Sequence, residues 1–129
     1  MVTDHRLLKG ENPMRYLLLI YSEENRGTPD PAEAEKVMNE YWAYSEAIEK
    51  AGIGKGGDAL QESATATTVR VKEGQRTVTD GPFAETREVL GGFYLIDVPD
   101  LDSAIEWAER CPGSKYGSVE VRPVMEFGE

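Results

Sequence analysis

Residues 15–21 read Arg-Tyr-Leu-Leu-Leu-Ile-Tyr (RYLLLIY) and residues 92–98 read Gly-Phe-Tyr-Leu-Ile-Asp-Val (GFYLIDV). Successive side chains of a strand point to opposite faces. Tyr16, Leu18 and Ile20 therefore face one way, and Leu17, Leu19 and Tyr21 the other. Both segments are apolar on both faces, which suits central strands of a sheet that is covered on each side. These two strands decide the fold, and the other elements are placed around them.

Between them the sequence changes period. Asp30-Pro31-Ala32-Glu33 reads as a helix start, with Asp30 as cap, Pro31 in the first turn and Glu33 closing a capping box. Ala34, Val37, Met38, Tyr41, Ser45 and Ile48 follow at helical spacing, and Gly52-Ile53 reads as a left-handed C-terminal cap, giving a helix over 31–51. Residues 53–61, with Gly54, Gly56 and Gly57, predict a bent second strand. Thr65–Val71 and Arg76–Thr79, joined by Glu73-Gly74, predict a hairpin that Asp80-Gly81-Pro82-Phe83 breaks. After the second central strand, Asp100 caps a second helix with Leu101, Ala104, Ile105, Ala108 and Cys111 as its buried stripe, ended by Pro112-Gly113. Val119–Phe127 is the last strand, and Pro123 places it at an edge.

The order strand, helix, strand, hairpin, strand, helix, strand predicts an α+β fold, a ferredoxin-like βαββαβ with an inserted β-hairpin. Two helices cover only one sheet face. The other face still carries large apolar residues, so the chain is expected to pair sheet to sheet as a homodimer, a dimeric α/β barrel.

The chain has 129 residues, which fits one domain. Residues 1–13 lack any period and end in Gly-Glu-Asn-Pro; they read as a flexible N-terminal extension to a domain over 14–129. Lys plus Arg number 14 against 24 Asp plus Glu, a formal charge of −10. That balance argues against nucleic acid or an anionic membrane as partner. One cysteine and one histidine exclude an internal disulfide, a Cys-only metal site and any site needing two histidines. No run of 18 or more apolar residues is present and the first residues do not form a secretory signal, so a cytoplasmic location is expected.

Thr79-Asp80-Gly81-Pro82-Phe83-Ala84-Glu85-Thr86 resembles the signature of the DGPF-domain family, within the YCII-related superfamily. Gly56-Gly57-Asp58-Ala59-Leu60, Thr65–Arg70, Leu90-Gly91-Gly92-Phe93 and Gly117–Pro123 follow in the same order, so the resemblance spans about 14–127. It implies the ferredoxin-like fold paired into a dimeric barrel. It also implies a small-molecule-binding protein, and relatives in the YCII branch resemble small-molecule enzymes with a His–Asp pair. A second implication is regulatory, since some DGPF relatives accompany or are fused to extracytoplasmic-function sigma factors. No cofactor is implied. The YCII-type histidine is expected near the first helix, and residues 31–51 contain none, while His5 lies outside the domain. A His-based mechanism is therefore not carried over.

The remaining candidates are carboxylates, tyrosines and arginines. Asp80 has two readings: a carboxylate on a rigid turn acting as general base, or an Asx-type turn in which it bonds its own backbone beside Gly81 and Pro82. Phe83 reads either as a core plug or as a residue that stacks on substrate. Glu85 and Glu88 could join Asp80 as an oxygen-donor cluster, but the ligand spacing of an EF-hand loop is absent and a carboxylate-rich run in so acidic a chain reads as solvated surface. Arg70, Arg87 and Arg122 are the candidate anion holders; Arg122 alternates with Glu120 and has an internal ion pair as its plainer reading. Among the tyrosines, Tyr21 at the end of the first strand is the best pocket candidate. Cys111 reads as a small apolar residue.

Two functions follow. In the first, the dimer binds a small anionic or aromatic molecule and transforms an organic acid or lactone by isomerase- or lyase-like acid–base chemistry. Asp80 is then the base, Glu88 or Tyr21 assists, and Arg70 with Gly81, Pro82 and Phe83 holds the substrate. In the second, the domain is a non-catalytic ligand-binding or interaction module associated with a sigma factor.

Overall fold

The computed structural model describes residues 14–24 and 30–127; the expected extension over 1–13 lies outside them. Its elements are β1 (Met14–Ser22), α1 (Pro31–Ala51), β2 (Gly54–Ala59), a 3-10 turn (Ser63–Thr65), β3 (Thr67–Lys72), β4 (Gln75–Asp80), β5 (Val89–Val98), α2 (Leu101–Arg110), α3 (Gly113–Tyr116) and β6 (Ser118–Pro123). The two apolar segments are β1 and β5. They pair antiparallel, Tyr16 opposite Ile96 and Leu18 opposite Tyr94. The sheet order is β2-β5-β1-β6, with antiparallel neighbours throughout. β6 is at an edge, as Pro123 requires. β3 and β4 form a separate two-stranded sheet.

The core lies between one sheet face and the helices. Tyr16, Leu18, Ile96 and Val98 from the sheet meet Tyr44 and Ile48 of α1 and Ala104 and Ala108 of α2, with Cys111 closing the cluster. Small residues on α2 let its backbone approach the sheet. Tyr44 donates to the Trp107 carbonyl at 2.7 Å and meets Tyr94 edge to face at 5.1 Å. The Tyr94 and Ser45 hydroxyls share a hydrogen bond of 2.8 Å. Cys111 is buried, as its place on the stripe predicted, and burial raises its thiol pKa.

Both helix boundaries follow the sequence signals, with differences. α1 starts at Pro31 and ends at Gly52, whose φ of 72° is the left-handed conformation that glycine adopts without strain. Asp30 makes no side-chain capping bond; only its carbonyl begins the helix. Asp100 does cap α2, accepting from the Ser103 N–H at 2.9 Å. Met38 is exposed and Tyr44 is buried, because the packed face of α1 centres on Val37, Tyr41, Tyr44 and Ile48. Leu101 and Ile105 are about half exposed and flank the Ala104–Ala108–Cys111 stripe. α2 ends at Arg110, just before Pro112-Gly113, and the four-residue α3 follows at once. β6 stops at Pro123, so Met125 and Phe127 stay exposed and do not extend its buried face. The chain beyond it is tied to β1: Val124 N–H donates to the Arg15 carbonyl, and the Arg15 guanidinium grips Glu126 through two bonds.

Candidate functional site

The sheet face away from the helices carries a second pattern. Odd-numbered β1 residues face it, and the register lays out the rows. Leu17 lies between Arg122 and Leu95, and Leu19 lies between Glu120 and Phe93. Tyr21 is opposite Ser118 on one side and Leu90 on the other, just past a register shift in β5. An apolar floor of Leu17, Leu19, Phe93 and Leu95, all partly exposed, thus runs up to a polar edge made by β6 and the end of β1.

That edge is built by close backbone contact. A Cβ on Gly117 would collide with the Tyr21 carbonyl oxygen and lie 3.0 Å from the Ser22 Cβ, so only glycine lets β6 begin here. Ser118 follows, and its hydroxyl donates to Glu88 Oε1 at 3.0 Å. Arg122 grips the Glu120 carboxylate, Nε at 3.0 Å and Nη2 closer. Those Arg122 hydrogen bonds hold the Glu120 carboxyl below the usual carboxylate range, with a smaller contribution from the Tyr21 hydroxyl. Two polar sets thus stand beside the apolar floor: Glu120 with Arg122 and the Tyr21 phenol, and Glu88 with the Ser118 hydroxyl. Further along the same face Asp97 stands opposite Arg15, and its Oδ1 is shielded from solvent without a hydrogen bond among the described residues.

The predicted residues divide between two places. Tyr21 and Glu88 lie at the same end of the sheet, where Tyr21 is opposite Leu90 and Ser118, and Ser118 bonds Glu88. Asp80, Arg70, Gly81, Pro82 and Phe83 belong to the hairpin and the turn after it. No hydrogen bond among the described residues joins the two sets. Asp80 is exposed and opposite Thr67. The Asx-type bond expected of its side chain is absent among the described residues. The turn is held by backbone instead: Gly81 N–H donates to the Ala66 carbonyl at 2.7 Å, and the Thr68 hydroxyl donates to the Gly81 carbonyl at 2.8 Å. Phe83 is 71% exposed, so it is not a core plug. Its ring lies 4.9 Å from the Arg70 guanidinium carbon. Arg87 is paired with Glu23 at 2.7 Å.

Sequence reasoning reached the Glu120–Arg122 pair but missed Ser118 and Gly117, whose roles depend on where β6 meets β1. A second opening, a cleft of about 340 Å³ between α1 and β2, is lined by Ser45, Ile48, Glu49, Gly54, Gly57 and Tyr94 among others. The hydroxyls of Ser45 and Tyr94 bond each other there. Among the described residues no group of three or more His, Cys, Asp or Glu is placed to hold a metal ion, and no helix is long and apolar enough to cross a membrane.

A family model for the YCII-related domain matches residues 14–128. An uncharacterised protein of Rhizobium meliloti (strain 1021) is 38% identical over 117 residues, covering 88% of this chain and 94% of the relative. The chain belongs to the YCII-related domain family.

Proposed function

We propose that this YCII-related chain, of the DGPF type, is a small-molecule-binding protein whose ligand site is the helix-free face of its sheet. The strand order β2-β5-β1-β6 supports a ferredoxin-like βαββαβ with an inserted hairpin. In this reading the chain works as a cytoplasmic homodimer. Two copies pack these faces together as a dimeric α/β barrel and enclose the ligand between them.

The observation that carries the reading is the Tyr21–Glu120–Arg122 cluster standing at the edge of a bare apolar floor. Leu17, Leu19, Phe93 and Leu95 suit the carbon skeleton of a small organic acid or lactone. A guanidinium suits its carboxylate or ring carbonyl oxygen. Ion pairing with Glu120 keeps Arg122 in place until a ligand anion competes for it. Proton transfer beside a carbonyl needs a base and an orienting group in a shielded site. Glu88, fixed through one oxygen by Ser118, and the Tyr21 hydroxyl are the groups at hand for isomerase- or lyase-like chemistry.

A second reading keeps the fold and removes the chemistry: a ligand-binding or interaction module in sigma-factor regulation. What favours it is the open position of Asp80 and Phe83, which the hairpin presents to solvent.

A thermal-shift screen against small organic acids, lactones and phenols tests the site. Wild type, Arg122→Gln, Tyr21→Phe and Asp80→Asn are screened together. A ligand at about a hundredfold its dissociation constant adds roughly 2.7 kcal/mol. The expected hit is weakened by Arg122→Gln and Tyr21→Phe and kept by Asp80→Asn. A hit lost only in Asp80→Asn moves the site to the hairpin, and a screen without hits favours the module.

A further inference from the structure

Among the described residues the strand edges left open are β2 and β6 at the ends of the main sheet and β3 and β4 at the sides of the hairpin. An open edge presents unpaired N–H and C=O groups to any extended chain, and proteins blunt such edges with bulges, proline and charge. β2 is broken by a register shift between Gly54 and Gly56, and β6 ends in Pro123. The hairpin has neither device. Its register runs unbroken from Thr67 opposite Asp80 to Lys72 opposite Gln75, and β3 (Thr-Thr-Val-Arg-Val-Lys) holds no glycine or proline. A lone two-stranded ribbon is marginal in water, and a third strand stabilises it.

The register sorts the ribbon's chemistry by face, because directly opposed residues point the same way. Thr68, Arg70 and Lys72 share one face with Thr79, Thr77 and Gln75. That face holds two cations, hydroxyls and an amide, and no carboxylate. Thr67, Val69 and Val71 share the other face with Asp80, Val78 and Arg76, where the charges cancel. β3 therefore alternates: Arg70 and Lys72 point one way, and the exposed Val69 and Val71 point the other. β4 offers uncharged polar groups on the first face and both signs of charge on the second, so its edge selects no partner charge. The edge of β3 does.

Arg70 is held ready for a carboxylate. Its guanidinium lies over the exposed Phe83 ring, and the Thr68 hydroxyl fixes the turn before Phe83 by donating to the Gly81 carbonyl. Stacking on a ring leaves the planar N–H fork free to bond. Arg15, Arg87, Lys115 and Arg122 are paired with carboxylates of their own chain, whereas Arg70 and Lys72 have no carboxylate partner among the described residues.

These placements define what fits. A strand added beside β3 sets alternate residues against Arg70 and Lys72 on one face and against Val69 and Val71 on the other. Its complement is an extended segment with carboxylates at alternate positions and apolar side chains between them. Arg70 and Lys72 stand roughly 7 Å apart along the strand, the same step that separates alternate residues of an added strand. A second copy adding its own β3 in antiparallel, two-fold fashion would set cations beside cations, which is unfavourable. Nucleic acid brings nothing apolar to the valines, and a chain of net charge −10 repels its phosphates.

We propose that the open edge of β3 receives an extended segment of another protein in which acidic and apolar residues alternate. The segment adds as a third strand, its carboxylates on Arg70 and Lys72 and its apolar side chains on Val69 and Val71. Main-chain bonds to the edge give the affinity, and the alternate side chains give the choice of partner. The edge belongs to the hairpin and not to the four-stranded sheet. The contact therefore does not rest on a ligand, or a second copy, at the helix-free face.

The probe is a fluorescent peptide of alternating glutamate and valine with blocked ends, six residues long to match β3. Its anisotropy is followed against the whole chain, with circular dichroism as the fold control for each variant. Arg70→Glu/Lys72→Glu is expected to weaken binding by about tenfold or more. A peptide of alternating lysine and valine should bind that variant and not the wild type. Val69→Thr/Val71→Thr keeps β-branched residues in the strand and should weaken binding by a smaller factor. N-methylation of alternate peptide amides tests the strand pairing itself. Methyl groups on the set that faces β3 should abolish binding, and those on the other set should spare it. A glutamate peptide that fails to bind wild type at millimolar concentration overturns the proposal. So does equal binding of the lysine peptide to wild type, or an equal effect of the two methylation patterns. A single-stranded oligonucleotide bound more tightly than the peptide overturns it in favour of nucleic acid.

Discussion

The two faces of the four-stranded sheet are made from the same strands and differ in what meets them. On the helical side every large group has a partner: Leu18 and Ile96 are fully buried, and the tyrosine hydroxyls are hydrogen-bonded to Trp107 and Ser45. On the other side leucines and Phe93 remain partly exposed beside Tyr21, Glu120 and Arg122. A strand that is apolar on both faces thus serves folding with one face and leaves the other open. The lesson is that the covered face carries stability and the bare face is free to carry function.

Truncation should separate the faces most sharply. Leu18→Ala empties a fully buried site and is expected to cost about 2–5 kcal/mol in urea unfolding. Leu19→Ala should cost about 1 kcal/mol in dilute protein. If two copies close the bare face, the Leu19→Ala penalty grows with protein concentration while that of Leu18→Ala does not. Equal costs at every concentration would erase the distinction.

Alkali gives the next comparison. Burial raises the phenol pKa of Tyr41, Tyr44 and Tyr94 above the ordinary value of 10.0. A folded pKa above the unfolded one means the neutral form is favoured by folding. Its contribution is whole below about pH 10 and is lost as pH rises beyond that. Urea midpoints at pH 8, 10 and 11 should fall steeply over the last step, and Tyr44→Phe should flatten the fall.

The smallest effects lie at the helix starts. Asp100→Ala removes a real capping bond and should cost about 1 kcal/mol. Asp30→Ala removes none and should leave the midpoint nearly unchanged.

The frame was legible because β1, β5 and both helices announce themselves through period and caps within short windows. Pro123 gave the edge for the same local reason. What was not legible depended on tertiary contact. The buried stripe of each helix is set by how far the helix rotates against the sheet, so Met38, Leu101 and Ile105 were placed inside and Tyr44 was overlooked. The Asp80–Phe83 motif is conspicuous in sequence, yet it stands on the hairpin, apart from Tyr21 and Glu88. Those two residues lie at the same end of the sheet because β5 pairs with β1 there, and Ser118 reaches Glu88 because Gly117 lets β6 return beside β1.

The pairing of Met14 with Val98 joins positions far apart along the chain. Non-local pairing of this kind slows folding, because a long loop must close before any contact rewards it. The β3–β4 ribbon faces no such delay: its strands are joined by Glu73-Gly74, and hairpins close in roughly 1–10 μs. A newly made chain therefore has its ribbon connected early and its central strands joined last. Until that late step the apolar runs of β1 and β5 stay open to other chains, and this is the interval in which the protein is most exposed to aggregation.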